Sequence, residues 1–373
     1  MKPPRAVVAP WRHVDVLLVA AVVAISALSL VMIYSATRNE QAVTALGGNY
    51  YLKRQATFLA IGLLAMIVVA VIDYRSLHDA APVVYVLTVA LLLLVLSPLG
   101  SASRGTQAWF QLGSYQFEPS EFAKVALIVC LSAYIATHRG DLDGRHVVVL
   151  LAMIGIPMSL IYLQPDLGTD MIFGGIFLAL LLVGGARLRH LAVLGLLGVV
   201  AVGAVLHFGV LERYQVERLA AFLDPENDPQ RSAYNLRQSQ IAIAAGGLGG
   251  RGVFQGSQTN LSFVPEQHTD FIFTAVGEEL GFVGAASLLA LFGLVVWRTW
   301  RTGMLARDRF GTLLCVGVLA MFVFQIFENV GMTMGITPIA GIPLPFMSYG
   351  GSSTVACFIA LGLVLNVHMH RYS

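Results

Sequence analysis

Ten apolar runs, each close to the length that crosses a lipid bilayer, leave this chain few ways to fold. They fall at about 15–35, 56–73, 81–99, 119–137, 147–164, 169–186, 190–210, 270–298, 309–330 and 350–368. A membrane helix takes about 20 mostly apolar residues, because hydrocarbon offers no partner to an unpaired backbone amide. Only 12% of the residues are charged and 57% are hydrophobic, against about 25% charged in soluble domains. The expected fold is an all-α polytopic membrane protein. It forms one integral domain over residues 1–373, with about ten transmembrane helices and a long loop at 211–269 between the seventh and eighth. The first run is too long for the core of a cleavable signal. Cys130, Cys315 and Cys357 lie inside apolar runs without metal-ligand spacing, and read as small buried hydrophobes. The net charge of +2 gives no reason to expect a nucleic-acid partner.

An even number of spans puts both ends on one side. Arg and Lys gather in loops on the cytoplasmic side. With the N-terminus inside, inner segments hold Arg75, Arg139, Arg145, Arg187, Arg189, Arg298, Arg301 and Arg307. The short outer loops hold only Arg38, Lys53, Arg54 and Arg104. Both termini are therefore expected in the cytoplasm. The loops at 100–118, 211–269 and 331–349 then face outward.

The unusual residues lie in those outer loops. Gly, Ser and Pro make 100–118 irregular, and Trp109 suits a membrane interface. Pro119 opens the next helix where its missing N–H costs nothing. Glu121 and Lys124 follow on one face of that helix. They either neutralise each other near the surface or line an outward cavity. Asp166 and Asp170 either cap the next helix or face the same cavity. The 211–269 loop carries a charged amphipathic piece at 214–223, a turn cluster, and a second helix-like piece at about 232–245. Both pieces are expected to lie along the membrane surface. Asp224, Glu226 and Asp228 in the turn are spaced for a cation, but the prolines beside them favour a structural turn. Gly247, Gly249 and Gly252 spell GxGxxG without the strand and helix of a dinucleotide site. Their backbone N–H groups, beside Arg251, either hold a pyrophosphate or form a plain turn.

The densest polar stretch is SFVPEQHTDFIFTAVGEE, Ser262–Glu279, at the mouth of the eighth span. A charge in lipid costs about 3 kcal/mol or more, so such groups are kept where they line a cavity, bind a ligand or carry out chemistry. Thr269 is placed to cap the helix and Asp270 to lie in its first turn. Thr274 and Glu278 would continue that face, and Glu266 and His268 lie just before it. This points to an active site at a membrane face centred on Asp270. The uncharged, Gly- and Pro-rich loop Asn329–Ser353, preceded by Glu328, reads as a re-entrant segment shaping a groove for lipid tails.

Specific motifs run along the whole chain: FEPSEFAK at 117–124, QPDLGT at 164–169, RLAAFLDPENDP at 218–229, YNLRQSQIAI at 234–243, VPEQHTDFIFTAVGEELG at 264–281 and GIPLPFMSYGGSS at 341–353. With them the sequence resembles the SEDS family (shape, elongation, division and sporulation), and its IPLPF wording is closer to the RodA branch than to FtsW. Ser262 departs from the acidic residue of many relatives. Gln107-Ala108-Trp109 lacks the arginine often found before the tryptophan, a place Arg104 would have to fill.

The resemblance implies a peptidoglycan glycosyltransferase. It would polymerise lipid II, a disaccharide-pentapeptide on undecaprenyl pyrophosphate, at the outer face of the bacterial cytoplasmic membrane. A class B penicillin-binding protein would be its partner. Asp270 matches the family's essential aspartate. Glycosyl transfer from a pyrophosphate needs a base for the attacking hydroxyl and cations for the leaving group. Asp270 is the expected base. Lys124, Arg104, Arg218 and Arg251 are the expected pyrophosphate contacts, with Glu121, Glu266, His268 and Trp109 lining the cavity. No metal ligands are assigned, and a divalent cation, Mg2+ or Mn2+, can share the charge. A lipid II flippase would use the same cavity without a base, and a non-catalytic scaffold of the cell-wall machinery would need no buried acid.

Overall fold

The computed structural model describes residues 13–39, 49–103, 106–138, 142–208, 216, 218, 222 and 231–371. Arg104, Asp224, Glu226 and Asp228, and most of the 214–223 piece, lie outside them.

The ten expected spans are present as helices: α1 (Val16–Thr37), α2 (Tyr50–Val71), α3 (Arg75–Val95), α4 (Pro119–Thr137), α5 (Gly144–Tyr162), α6 (Leu167–Val183), α7 (Leu188–Phe208), α10 (Ile272–Met304), α11 (Arg309–Met334) and α12 (Gly351–His370). Between them lie strands β1 (Ser101–Ser103), β2 (Thr106–Leu112) and β3 (Tyr115–Phe117), helix α8 (Arg231–Gly246) and the short α9 (Ser257–Asn260). Most of α4 and α12 is buried. Helices α2 and α3 instead expose Ile61, Leu64, Val68, Val83, Val86 and Leu87. A water-soluble bundle would hide such a surface, and lipid covers it here.

Long-range bonds sort the helix ends into two faces. On one, Asp15 before α1 pairs with Arg298 at 2.6 Å. There too Tyr74 donates to Asp308, and Asn366 donates to the carbonyls of Val69 and Ile72 while accepting from the Tyr74 amide. On the other, Glu118 N donates to Ser352 Oγ at 2.9 Å and Arg38 binds Phe254 O and Asn260. Successive spans therefore alternate in direction.

The segment expected to be irregular at 100–118 is a three-stranded antiparallel sheet, with Phe110 opposite Phe117 and Leu112 opposite Tyr115. Gly113, at φ 63°, makes the turn between β2 and β3. The pattern TQAWFQL alternates too weakly to have announced a strand.

The eighth span is broken at Gly281 (φ 65°, ψ −163°), where helical bonding fails. The glycine-rich stretch repairs the break. Arg251 N and Gly252 N donate to the carbonyls of Glu278 and Glu279, and Phe282 N and Val283 N donate to Gly247 O and Leu248 O. Side chains would prevent this approach: a Cβ on Gly246 would lie 1.9 Å from Gly277 O, and one on Gly281 would lie 2.2 Å from Gly250 N. Of the two readings of this stretch, the structural turn describes it, because the amides of Arg251 and Gly252 splice a broken helix. Helix α8 turns a stripe of Ala233, Leu236, Ser239 and Ala242 inward, and Ser239 and Gln240 donate to the carbonyls of Thr333 and Met334 on α11. That face rests on protein.

Candidate active site

Three segments meet at the end of α10. The first is the turn before it. Glu266, at φ 53°, turns the chain so that its carbonyl accepts from the amides of Thr269 and Asp270. Helix α10 starts only at Ile272, with Phe271 before it and no side-chain cap. The expected Thr269 cap is therefore absent: its hydroxyl donates back to Glu266 O at 3.1 Å. Asp270 is half-buried in this turn, ahead of the helix.

The second segment is the chain after α11. Helix α11 ends at Gly335 in the left-handed region, and residues 336–350 run without a helix to α12. Ser29 Oγ donates to Met347 O, and Leu344 N donates to Ser348 Oγ, which anchors the segment in the bundle. Within it Gly341 takes φ 72°. A Cβ there would lie 3.6 Å from Asp270 Oδ2 and 3.8 and 4.0 Å from the two terminal nitrogens of Arg218. The Asp270 carboxylate and the Arg218 guanidinium thus both lie beside Gly341, whose left-handed backbone favours glycine.

The third segment starts α6. A Cβ on Gly168 would lie 2.7 Å from Ala340 O. The 340–342 segment therefore runs against the α6 N-terminus through Ala340 and beside Asp270 and Arg218 at Gly341. Asp166 accepts from Thr169 N at 3.1 Å and caps α6, so the capping alternative describes it. Asp170 is buried in the first turn.

Beyond Asp166 lies a polar cluster at the start of α4. Lys124 Nζ binds Glu121 Oε1 at 2.7 Å, with side-chain exposures of 1% and 5%. The pair is buried, not at the surface as one alternative had it. Glu118 receives Trp109 Nε1–H at 3.2 Å and the Ser120 hydroxyl at 3.1 Å. Loss of water around its carboxyl, with the nearby Glu121 and Asp166 carboxylates, pushes Glu118 up to about 8, against the pull of Lys124 and Ser120.

The other candidates divide. His268 is buried, its ring 4.5 Å from Tyr51 and 5.6 Å from Tyr349, and its carbonyl accepts from Tyr349 N at 2.9 Å. It braces the Asp270 turn through aromatic contact. Arg251 is exposed and donates to Ala245 O, on the segment that repairs α10. Glu278 and Thr274, expected on the face of Asp270, are fully buried elsewhere. Glu278 accepts from the amides of Gln258 and Thr259 at 2.8 and 2.9 Å, and Gln267 donates to Thr274. Asn329, Gly341 and Glu118 were not singled out as site residues. A buried amide in an apolar run, and a glycine in an uncharged loop, were their only signals. Among the described residues no group of three or more His, Cys, Asp or Glu side chains is set to hold a metal ion.

A helical membrane bundle in which an acid and a guanidinium lie beside one glycine of an irregular segment is the class this geometry defines. A family model described as a cell cycle protein, FtsW/RodA/SpoVE, matches residues 15–373, and the chain belongs to this family. Stage V sporulation protein E of Bacillus subtilis is 35% identical over 96% of this chain and 97% of its own length. Peptidoglycan glycosyltransferase MrdB of Escherichia coli is 35% identical over 96% and 94%. A chain of the solved structure described as "Structural coordination of polymerization and crosslinking by a peptidoglycan synthase complex" superposes with a TM-score of 0.83, at 33% identity over 97% of this chain and all of that one. The rod shape determining protein RodA of Thermus thermophilus gives 0.73, at 30% identity over 98% of this chain and all of that one.

Proposed function

We propose that this protein is a peptidoglycan glycosyltransferase that polymerises lipid II into β-1,4 glycan, with Asp270 as base. The observation that carries the reading is the convergence of the Asp270 carboxylate and the Arg218 guanidinium on the space beside Gly341. The names of the relatives, peptidoglycan glycosyltransferases among them, support the reaction class.

The acceptor's 4-hydroxyl oxygen attacks the donor's anomeric carbon and forms the new C–O bond. Asp270 takes the hydroxyl proton. The bond from that carbon to the phosphate oxygen breaks, and the undecaprenyl pyrophosphate leaves with the electron pair. One displacement inverts an α-linked donor to a β-linked product without a covalent enzyme intermediate. Arg218 stabilises charge gathering on the pyrophosphate. Lys124, already neutralised by Glu121, serves from the polar cluster at the start of α4. A divalent cation, where one takes part, arrives with the pyrophosphate, since Mg2+ is commonly held by one or two carboxylates and the substrate's phosphates.

The site faces outward and both termini are cytoplasmic, a reading supported by the bias of Arg and Lys to the other set of loops. The partner is a class B penicillin-binding protein, in line with the synthase complex among the structural relatives. Service in elongation rests on the RodA-like IPLPF wording at 342–346. The flippase alternative gains little from the opposite face. Its buried acid Asp15 is closed by Arg298 and by the Leu18 amide, and offers no open carboxylate.

The test is polymerisation of purified lipid II by wild type and Asp270→Asn, each with and without the penicillin-binding protein. Glycan from wild type and none from a folded, lipid II-binding Asp270→Asn is expected. Equal polymer from both removes Asp270 as base. No polymer from wild type with its partner favours lipid II translocation, measured next in vesicles.

A further inference from the structure

We infer that Asn329 is a positioning residue: it clasps the Asp270 turn to the Gly341 segment and sets the distance across the site. The inference rests on the polymerase reading above. Asn329 is fully buried on α11, near the end that meets the site. Its Nδ2 carries two hydrogens. The nitrogen lies 2.8 Å from Asp270 O and 2.7 Å from Ile342 O. The first carbonyl belongs to the proposed base itself. The second belongs to the residue after Gly341, the glycine beside the Asp270 carboxylate and the Arg218 guanidinium.

The chemistry of the side chain matches the task. A hydroxyl has one hydrogen to give and an ammonium brings a charge. A carboxamide nitrogen grips two carbonyls at once and stays neutral, which a buried position requires. The grip matters because neither segment is regular. Residues 264–271 are held by turns and residues 336–350 contain no helix, so helical geometry does not set their separation. Tyr349 N on His268 O, with the Tyr51–His268–Tyr349 ring contacts, joins the same two segments away from the carboxylate. Asn329 joins them at the carboxylate. A base works only within about 2.6–3.2 Å of the proton it takes, and a shift of about 1 Å in such a group costs up to about 100-fold in rate.

The experiment compares wild type with Asn329→Leu, which keeps the volume and removes both donors, and with Asn329→Ser, which keeps one donor in a smaller side chain. Two readouts are taken on the full chain in detergent: kcat and KM for lipid II polymerisation per folded molecule, and amide hydrogen exchange. In Asn329→Leu, kcat falls about 10- to 100-fold with KM within about 3-fold. Exchange rises in peptides covering 264–272 and 338–346 and stays unchanged over 351–370. Asn329→Ser falls between Asn329→Leu and wild type in both readouts. Unchanged exchange in both segments, or an unchanged kcat per folded molecule, overturns the inference. So does a rise in KM alone. A wild type that makes no polymer even with its penicillin-binding protein partner removes the polymerase reading, while the exchange comparison still decides whether the clasp exists.

Discussion

Asp270 and Glu278 stand in one short stretch and are both acids, one just ahead of helix α10 and one inside it, yet their surroundings differ. Glu278 is fully buried and saturated: two amides and the Thr259 hydroxyl of α9 converge on its two oxygens. It is the remote cap of α9, held in place by the break in α10. Asp270 lies in a turn, half-buried, and its carboxylate and the Arg218 guanidinium lie beside the same glycine, Gly341. A carboxylate whose oxygens are filled by backbone amides has no lone pair left for a substrate. The proposed role of Asp270 as a base requires one. Burial cost alone does not separate the two cases, since both positions are costly; the identity of the partners does.

That contrast is most directly broken by exchanging the two roles. Asp270→Asn lowers polymerisation by at least about 100-fold while the thermal midpoint moves little, the loss expected of a general base. Glu278→Gln does the reverse. It loses charge-assisted bonds to buried amides and destabilises by about 2–3 kcal/mol, with activity per folded molecule within about 3-fold of wild type. Thermal unfolding and lipid II polymerisation on the same preparations decide both. A Glu278→Gln protein that is stable but inactive would collapse the distinction.

Arg218→Lys tests whether the guanidinium is a planar fork or only a charge. The expected result is a loss of about 10-fold in kcat/KM, because an ammonium does not reproduce two parallel donors. Equal rates would make Arg218 a bulk charge. Gly341→Ala sharpens the geometry from the other side. Its left-handed backbone disfavours alanine by about 1 kcal/mol, and the methyl comes against Asp270 and Arg218. Activity should fall more than stability, as measured in the same two assays.

The smallest effect concerns pH. The folded Glu118 carboxyl titrates near 8 and the unfolded one near its ordinary, lower value. Between the ordinary carboxylate range and about 8 the folded state holds a proton that the unfolded state has released. Stability from this group is therefore full below the unfolded value and falls as pH rises toward 8. Glu118→Gln removes the proton exchange and flattens that part of the curve, read as the thermal midpoint from pH 5 to 9. An equal slope in wild type and variant would assign the dependence to other groups.

Much of this architecture was legible in the residues themselves. A run of apolar residues must form a helix in lipid, so the ten spans were readable to within about six residues of their ends; α4, opened by Pro119, falls where it was expected. The stretch around Asp270 was readable because ionisable groups at a helix mouth are expensive. Pairwise geometry was not. The glycines at 246–252 look like a phosphate loop, and only a partner with a broken helix, far along the chain, shows that their amides are spent. Trp109 looked like an interface residue, and its indole is bound to Glu118. The sheet at 101–117 stayed hidden because cross-strand pairing, not local pattern, makes it.

What the sequence alone determined is the solvent: a chain that must lie in a bilayer, with costly ionisable groups gathered at one helix mouth. What only the tertiary structure decided is which polar groups meet. Hydrophobic periodicity is a local property and survives in one dimension. The meeting of Asp270, Arg218, Gly341 and Asn329 depends on irregular segments whose course is set by hydrogen bonds between residues remote in sequence, and nothing local encodes it.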